Sequence, residues 1–189
     1  MSMHDERSNW EPVRALIDER IGDHRIAVTG RLDEIVSGDP ERVLAELSAY
    51  KFAAKMIGPD RRVLDRDAGE GLGTWVLAAE CGSAHGVTPD AVAAEANWTD
   101  DRVVFTSAAP AGEWDAVVAL GAGADPAELA GCVAARGMAV ASAPDPGSFA
   151  AAFTHVFGFR AVGELIRPGA DGPGDGLVVA VKPLRRARA

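Results

Sequence analysis

The residues of this sequence that could do chemistry gather in one short segment, "VLDRDAGEGLGTW", which runs from Val63 to Trp75. It begins as an apolar strand and turns through Gly69, Gly71 and Gly73 into a helix. Glycines at such a turn let the backbone approach a ligand, and the N-terminus of the following helix attracts a carboxylate or a phosphate. The segment therefore predicts a loop of the kind that binds nucleotides.

Charged residues stand among these glycines. Asp65 ends the strand, where its carboxylate can cap the amide groups of the loop that follows. Asp67 adds a second carboxylate inside the loop, and at ~4 Å it would repel a ligand carboxylate by up to about 4 kcal/mol. Arg66 lies between the two acids and could pair with Asp67, which predicts an ion pair at the surface.

Regular elements must position this segment, and the sequence predicts them in alternation. A helix over 39–57 has Asp39 as its N-cap and Pro40 at its first position, and Gly58 and Pro59 end it. The apolar runs that follow are short and continuous, as in a parallel sheet covered on both faces. We predict strands at 61–65, 84–87, 102–106, 114–120 and 137–143, and helices at 71–81, 89–97, 126–135 and 148–157. This alternation indicates a doubly wound α/β fold.

The end of the chain breaks the alternation. Residues 159–167 and 176–184 both have strand patterns, and the intervening "PGADGPGD" consists of turn formers. A parallel pair would need a crossover of roughly a dozen residues or more. The last two strands are therefore predicted to form an antiparallel hairpin.

Three parts of the chain differ in pattern. Residues 1–38 are predicted to be a helical extension, residues 39–184 the α/β domain, and residues 185–189 a basic tail. The extension could form a lid, a dimer arm or a loose end. Its clearest apolar helical face is formed by Val13, Leu16, Ile17 and Ile21.

Composition and net charge restrict the classes of partner, location and metal site that the sequence allows. The formal net charge of −9 argues against nucleic acid or an anionic membrane as a partner, because both are polyanions. No apolar run reaches the roughly 18 residues of a membrane span. Cys81 and Cys132 form no CxxC motif and the four histidines are scattered, so we expect reduced thiols, no metal and a cytoplasmic location.

The segment "VLDRDAGEGLGTWVLAAECGSAHGVTPDAVAAEA", the preceding helix "LSAYKFAAKMIG" and the terminal hairpin together give a resemblance to a known family. From about Leu44 to Leu184 the sequence resembles the class I S-adenosylmethionine-dependent methyltransferases. The resemblance implies a doubly wound, seven-stranded, mostly parallel sheet with an antiparallel last strand. It also implies S-adenosylmethionine as the cofactor.

The resemblance assigns roles to the first loop. In the family this loop wraps the methionine part of the cofactor, and the acid that ends the first strand helps to hold its ammonium group. Asp65, Gly69 and Gly71 are retained, whereas Asp67 replaces a small residue. Asp67 would crowd and repel the carboxylate of the cofactor, unless it bends away to solvent.

Further along, three residues stand where the family contacts ribose and adenine. Thr88 replaces the acid that grips both ribose hydroxyls, and Asp90 could substitute for it. We favour a structural role, with Thr88 as a helix cap, Pro89 at the first helical position and Asp90 favourable to the helix dipole. Ser107 stands near the position of an aspartate that takes the adenine amino group, and it could give one bond.

The substrate region offers no evident base. After the fourth strand, "GAGADPAE" replaces the bulky, acidic and aromatic residues that the family places near the sulfonium, and Asp125 is predicted to cap the next helix. His155 could act as a base only by reaching the pocket, and its helix predicts a partly buried packing residue instead. Trp75 is predicted to belong to the core.

These observations leave three functions open. The first is a non-catalytic subunit that has lost most contacts to S-adenosylmethionine and supports an active methyltransferase or forms a homo-oligomer. The second is an active methyltransferase of a small molecule with an atypical pocket, using Asp65, the glycine loop and Asp90. The third is a protein that binds another small molecule, with Asp67 recognising a cation or hydroxyl groups. Because the losses at Asp67, Thr88, Ala108 and residues 121–124 are not evidently replaced, we favour the first.

Overall fold

A computed structural model describes residues 40–98, 100–121, 124–143, 145–166 and 176–183. The strands are β1 (Arg61–Asp65), β2 (Gly82–Val87), β3 (Val103–Thr106), β4 (Trp114–Ala119), β5 (Val133–Ala143), β6 (Arg160–Ile166) and β7 (Gly176–Val181). The helices are α1 (Pro40–Ile57), α2 (Leu72–Cys81), α3 (Ala91–Asn97), α4 (Pro126–Cys132) and α5 (Pro146–Ala151), and a π-helix (Ala152–Val156) continues α5.

All seven strands form one sheet in the order β3-β2-β1-β4-β5-β7-β6. The strands β1 to β5 pair in parallel wherever they are neighbours. The strand β7 runs antiparallel to both β5 and β6. The predicted fold class, including the antiparallel last strand, is confirmed.

Helices cover the sheet on two faces and bury two apolar clusters. Tyr50 of α1, Leu77 of α2 and Val63 of β1 belong to the first cluster, whereas Leu64 of β1 and Phe153 belong to the second. Val63 and Leu64 are neighbours in sequence and both are fully buried, because successive side chains of a strand point to opposite faces. This explains why the strands are continuous apolar runs.

Helix α1 starts at Pro40 and ends before Gly58, as predicted. The next predicted start, at Thr88 and Pro89, is wrong: α3 begins at Ala91 and its N-cap is Asp90, whose carboxylate accepts a hydrogen bond from the amide of Ala93. Thr88 instead accepts a bond from the amide of Asp90 at 3.4 Å. The two bonds place a turn before the helix and delay its start.

Two later boundaries also differ from the prediction. The helix predicted over 126–135 ends at Cys132, because Val133 is fully buried and opens β5 four residues earlier than the predicted 137. Arg136 has a φ of 67°, and the register between β4 and β5 shifts at this irregularity. The helix predicted over 148–157 begins at Pro146 and changes to a π-helix, which leaves His155 exposed instead of packed.

The connection from β3 to β4 is short. Residues 107–113 join the two parallel strands without a helix, although β2 and β1 lie between them in the sheet. Parallel strands are usually joined by a longer crossover that packs a helix on the sheet. The absence of such a helix leaves part of one face without a cover from this connection.

The predicted extension 1–38 and the basic tail 185–189 lie outside the described residues, and the limits of the domain, 39–184, stay a prediction. Within the described part of the chain, no helix combines the length and the apolar character needed to cross a membrane.

Candidate functional site

The loop between β1 and α2 lies at the carboxyl edge of the sheet. Its backbone is tied to two strands: the amide of Arg66 donates to the carbonyl of Val118, and the amide of Ala68 to that of Val87. Gly69 and Gly71 adopt φ values of 52° and 93°, which disfavour residues with a side chain. The glycines are therefore needed for the turn itself, whether or not a ligand binds.

Asp65 is fully buried beneath this loop. One carboxylate oxygen accepts a hydrogen bond from the hydroxyl of Thr74 at 2.7 Å, and the other accepts from the amide of Asp67 at 3.3 Å. Burial raises the pKa of Asp65 to about 7, although these bonds oppose the shift. Both oxygens thus have partners within the chain, as expected of an acid that caps the loop.

Tyr50 supports the same loop from α1. Its hydroxyl lies 3.4 Å from a carboxylate oxygen of Asp65 and 3.2 Å from the carbonyl oxygen of Asp67, to which its proton can be donated. A Cβ atom placed on Gly73 would lie 2.2 Å from the Tyr50 ring, so the ring occupies the space that Gly73 leaves. Tyr50 lies in the helix predicted over 39–57, but the sequence did not indicate this contact.

Two aromatic side chains fill the space beside the loop. A Cβ atom on Gly71 would lie 2.5 Å from Phe105 and 2.6 Å from Trp98, and one on Gly86 would lie 2.6 Å from Phe105. The indole N–H of Trp98 donates to the carbonyl of Glu70 at 2.7 Å, which fixes the ring against the loop. Both aromatic side chains are buried.

Asp67 covers the end of β4. A Cβ atom on Gly121 would lie 1.1 Å from a carboxylate oxygen of Asp67, so this side chain lies directly on the Gly121 backbone. The predicted pair between Arg66 and Asp67 is wrong, because Arg66 points to α4 and contacts Glu128 at 2.6 Å. The Glu128 side chain is 60% exposed, so this pair adds little stability.

A cavity of about 200 Å³ opens between this loop and α4. Asp125 lies on its wall and caps α4 as predicted, with its carboxylate accepting from the amide of Ala127 at 2.8 Å. The cavity is lined by Arg66, Asp67, Ala119, Gly121, Ala124, Asp125, Glu128 and Leu129. Of the charged residues in this lining, three are acidic and one, Arg66, is basic.

The remaining predicted site residues lie at the ends of β2 and β3. Thr88 is buried, Asp90 uses its carboxylate to cap α3, and Ser107 is exposed just after β3. The carboxyl ends of parallel strands share one edge, so these residues lie on the same edge as Asp65 and Asp67. The structure therefore brings the predicted residues to one edge of the sheet.

Comparison with known proteins identifies this arrangement. No protein-family model and no curated protein matches the sequence, but solved structures do. A chain from a Haloferax volcanii complex between the Trm112 methyltransferase activator and a methyltransferase matches with 14% identity and a TM-score of 0.63, over 99% of this chain and 100% of that one. The chain has the class I methyltransferase fold.

Two further structures with the methyltransferase fold are similar. The 1,6-didemethyltoxoflavin-N1-methyltransferase of Burkholderia thailandensis, solved with S-adenosylhomocysteine, matches with 14% identity and a TM-score of 0.59, over 97% of this chain and 92% of that one. The N-methyltransferase NodS of Bradyrhizobium japonicum matches with 14% identity and a TM-score of 0.56, over 76% and 96%. Identities this low establish the fold alone.

Phe105 and Trp98 are the residues of this methyltransferase fold that the sequence analysis missed. Phe105 was assigned to a predicted strand, and Trp98 follows the helix predicted over 89–97. The sequence does contain two large aromatic residues, Trp98 and Phe105, after the glycine-rich loop, which could have indicated that they pack against its glycines. Only the strand order shows that they reach Gly71 and Gly86.

The described residues were compared with the side-chain clusters that bind metal ions. In the described part of the chain, no group of three or more His, Cys, Asp or Glu side chains is arranged to hold a metal ion. His85 of β2 uses its Nε2 atom to contact the hydroxyl of Thr106 at 2.8 Å.

Proposed function

We propose that this protein is a non-catalytic subunit with the methyltransferase fold, in which S-adenosylmethionine binding is impaired or lost and which supports a partner. The observation that carries the proposal is that the chain's own side chains occupy the space its glycines leave. Tyr50 fills the space beside Gly73. Phe105 and Trp98 fill the space beside Gly71, and Asp67 fills the space beside Gly121. The residues present therefore do not fit the cofactor that the fold implies.

The buried side chains of Phe105 and Trp98 are the first obstacle to cofactor binding. A ligand that entered beside Gly71 would have to displace Phe105 or Trp98, both of which are buried. Fully burying one such side chain is worth roughly 1.5–3 kcal/mol, and that free energy would be lost. Displacing Trp98 would also break its hydrogen bond to Glu70.

Asp67 opposes binding by charge. Asp67 belongs to the loop that in the family wraps the methionine part of the cofactor, and its carboxylate lies on Gly121, in the segment that the family places near the sulfonium. Two carboxylates ~4 Å apart near a surface repel by up to about 4 kcal/mol. That energy corresponds to roughly a thousandfold loss of affinity.

The expected hydrogen-bond partners are also committed elsewhere. The hydroxyl of Thr88 accepts from the backbone, the carboxylate of Asp90 caps α3, and both oxygens of Asp65 have partners. Each ligand hydrogen bond that is missing costs ~1–3 kcal/mol when the ligand group is left buried and unsatisfied. The binding free energy lost with the hydrogen bonds to ribose and adenine would add to the loss from repulsion by Asp67.

A supporting role suits a stable fold that does not bind the cofactor. The Haloferax volcanii structure is a complex between the Trm112 methyltransferase activator and a protein named as a putative methyltransferase, so a fold of this kind can belong to a two-protein assembly. We propose an active methyltransferase or a second copy of this chain as the partner, in the cytoplasm. The net charge of −9 makes nucleic acid and anionic membranes poor partners.

Calorimetric titration with S-adenosylmethionine and with S-adenosylhomocysteine tests the loss of binding. We expect no measurable heat of binding at ligand concentrations approaching ~1 mM, which bounds the binding free energy near −4 kcal/mol. An active methyltransferase titrated with the same solutions controls for ligand quality. Micromolar binding by this protein would overturn the proposal and favour an active enzyme that uses Asp65, the glycine loop and Asp90.

Co-purification tests the supporting role separately. The tagged full chain should retain a second protein with intact cofactor-binding motifs, or should elute as an oligomer in light-scattering chromatography. A monomer that captures no methyltransferase from its native extract would contradict this part of the proposal and leave the calorimetric result unaffected.

A further inference from the structure

Helix α3 is held to the rest of the fold by few buried residues. It has seven residues, and Ala94 is the only one of them that is buried. In α2, by comparison, six of the ten residues are buried. Most of the stability of a short helix comes from the packing of its apolar face. Helix α3 should therefore detach from the sheet at a lower free energy than α2 does.

Trp98 attaches this helix to the glycine loop. It is the C-cap residue of α3, and its indole N–H donates to the carbonyl of Glu70 at 2.7 Å. Its ring is stacked on that of Trp75, with the two ring centroids 5.7 Å apart. A Cβ atom on Gly71 would lie 2.6 Å from the Trp98 ring. The side chain of Trp98 thus covers the loop at Gly71.

The neighbouring residue, Asn97, opposes this closed position. In the described part of the chain, the nitrogen of its side-chain amide is buried and has no hydrogen-bond partner. A buried donor without an acceptor is destabilising, and this cost disappears when the group reaches water. Movement of α3 away from the sheet would hydrate the amide. The side chains of Asn97 and Trp98 therefore act in opposite directions on the same helix.

The chain before α3 is anchored to the sheet at Thr88. The amide of Thr88 donates to the carbonyl of Thr106 at 2.9 Å. The next bonds are local: the Thr88 hydroxyl accepts from the amide of Asp90 at 3.4 Å, and the Asp90 carboxylate accepts from that of Ala93 at 3.2 Å. These bonds lie within the turn and the helix, so they can persist when the helix moves as a unit. Residues 88–90 can therefore serve as the hinge.

We propose that α3 and Trp98 form a gate over the glycine loop, which opens as one unit while the sheet stays folded. In the closed form, the indole of Trp98 covers Gly71. In the open form the backbone of Gly71 reaches solvent on this side, whereas Phe105 stays on β3. The gate is the motion that removes the obstacle at Trp98, and it does not depend on whether S-adenosylmethionine binds.

Native-state hydrogen exchange of the full chain, followed by NMR, tests the gate without any substitution. Opening as one unit predicts a common protection factor for the backbone amides of Ala94 and Trp98 and for the indole N–H of Trp98. We expect this factor to be at least about a hundredfold lower than that of the Leu77 amide in α2. It should change little in dilute urea, because local opening exposes little surface.

Two substitutions should move the gate in opposite directions. Trp98→Phe keeps an aromatic ring but removes the hydrogen bond to Glu70, so it should lower the protection of the Ala94 amide at least about fivefold. Asn97→Ala removes the unpaired buried amide, so it should raise that protection at least about fivefold. Neither substitution should change the protection of the Leu77 amide.

Glu95→Ala is the matched control for Asn97→Ala. Glu95 is exposed on the same helix, so this substitution also raises the helix propensity but removes no buried group. It should change the protection of the Ala94 amide by no more than about twofold. Circular dichroism melting checks that each variant remains folded.

Three results would overturn the gate. The first is an Ala94 amide that is as strongly protected as that of Leu77. The second is unequal protection of the amide and the indole N–H of Trp98, which would mean fraying of the helix end and not movement as one unit. The third is weaker protection of the Ala94 amide after Asn97→Ala. None of these measurements involves a ligand, so a negative result would leave the calorimetric test of the proposed function unaffected.

Discussion

Gly73→Ala should lower the free energy of unfolding by roughly 2–3 kcal/mol, the upper part of the range for overpacking a core. The added methyl group would lie 2.2–2.5 Å from three atoms of the Tyr50 ring. Tyr50 is buried and its hydroxyl contacts Asp65 and the loop, so the ring has little freedom to move. Urea unfolding followed by circular dichroism measures the change.

Gly131→Ala is the matched control for this substitution. Gly131 also lies in a helix, α4, but a Cβ atom there would meet no atom within 4 Å. Alanine is the better helix former, so this variant should gain up to about 1 kcal/mol. Equal responses of the two glycines would contradict the packing that we describe.

A double-mutant cycle assigns the Gly73 effect to Tyr50. Tyr50→Leu removes the ring, so Gly73→Ala should cost less in that background than in the wild type. Contacting residues typically show coupling energies of ~0.5–3 kcal/mol. A coupling near zero would mean that the methyl group clashes with something other than Tyr50. The distinction matters for function, because it separates a glycine kept for packing from one kept for a ligand.

The free energy of unfolding should fall as the pH rises from about 5 to about 8, and Asp65→Asn should remove most of this fall. The buried Asp65 has a pKa of about 7, against 3.8 for an ordinary aspartate. Between these values the folded state holds a proton that the unfolded state has released, so raising the pH favours unfolding. One pKa unit corresponds to ~1.4 kcal/mol, so the effect is on the order of 2–4 kcal/mol.

Asparagine suits this position because its geometry can keep the same contacts. Its carbonyl oxygen can accept from the Asp67 amide and Tyr50, and its NH₂ group can donate to the hydroxyl of Thr74. Asp125→Asn, at an exposed N-cap, loses one charge without changing a buried group and should keep the wild-type pH dependence. Denaturant unfolding between pH 5 and pH 8 compares the three proteins. A wild type whose stability is flat over this range would contradict a raised pKa at Asp65.

Much of the fold could be predicted because local patterns determine it. Continuous apolar runs gave the buried strands, and proline and glycine at positions 40, 58 and 59 gave the limits of α1. The turn formers between 167 and 176 were too few for a crossover helix, so the last pair had to be antiparallel. In each case the decisive information lay within a dozen residues.

The filling of the site could not be predicted, because it depends on contacts between distant residues. Phe105 reaches Gly71 and Gly86 only because β3 pairs with β2. Arg66 chooses Glu128 over its neighbour Asp67, since the turn directs the side chain toward α4. The early start of β5 at Val133 reflects burial in the second cluster, which competes with a helical pattern.

The position of β7 also has a consequence for synthesis on the ribosome. Because β7 lies between β5 and β6, neither of these strands can complete its pairing until residues 176–181 have emerged. A nascent chain that ends after Ile166 would carry β5 with an open edge and β6 without its neighbour. Open strand edges are templates for aggregation. We therefore expect this half of the sheet to be more prone to aggregation during synthesis than the half built around β1.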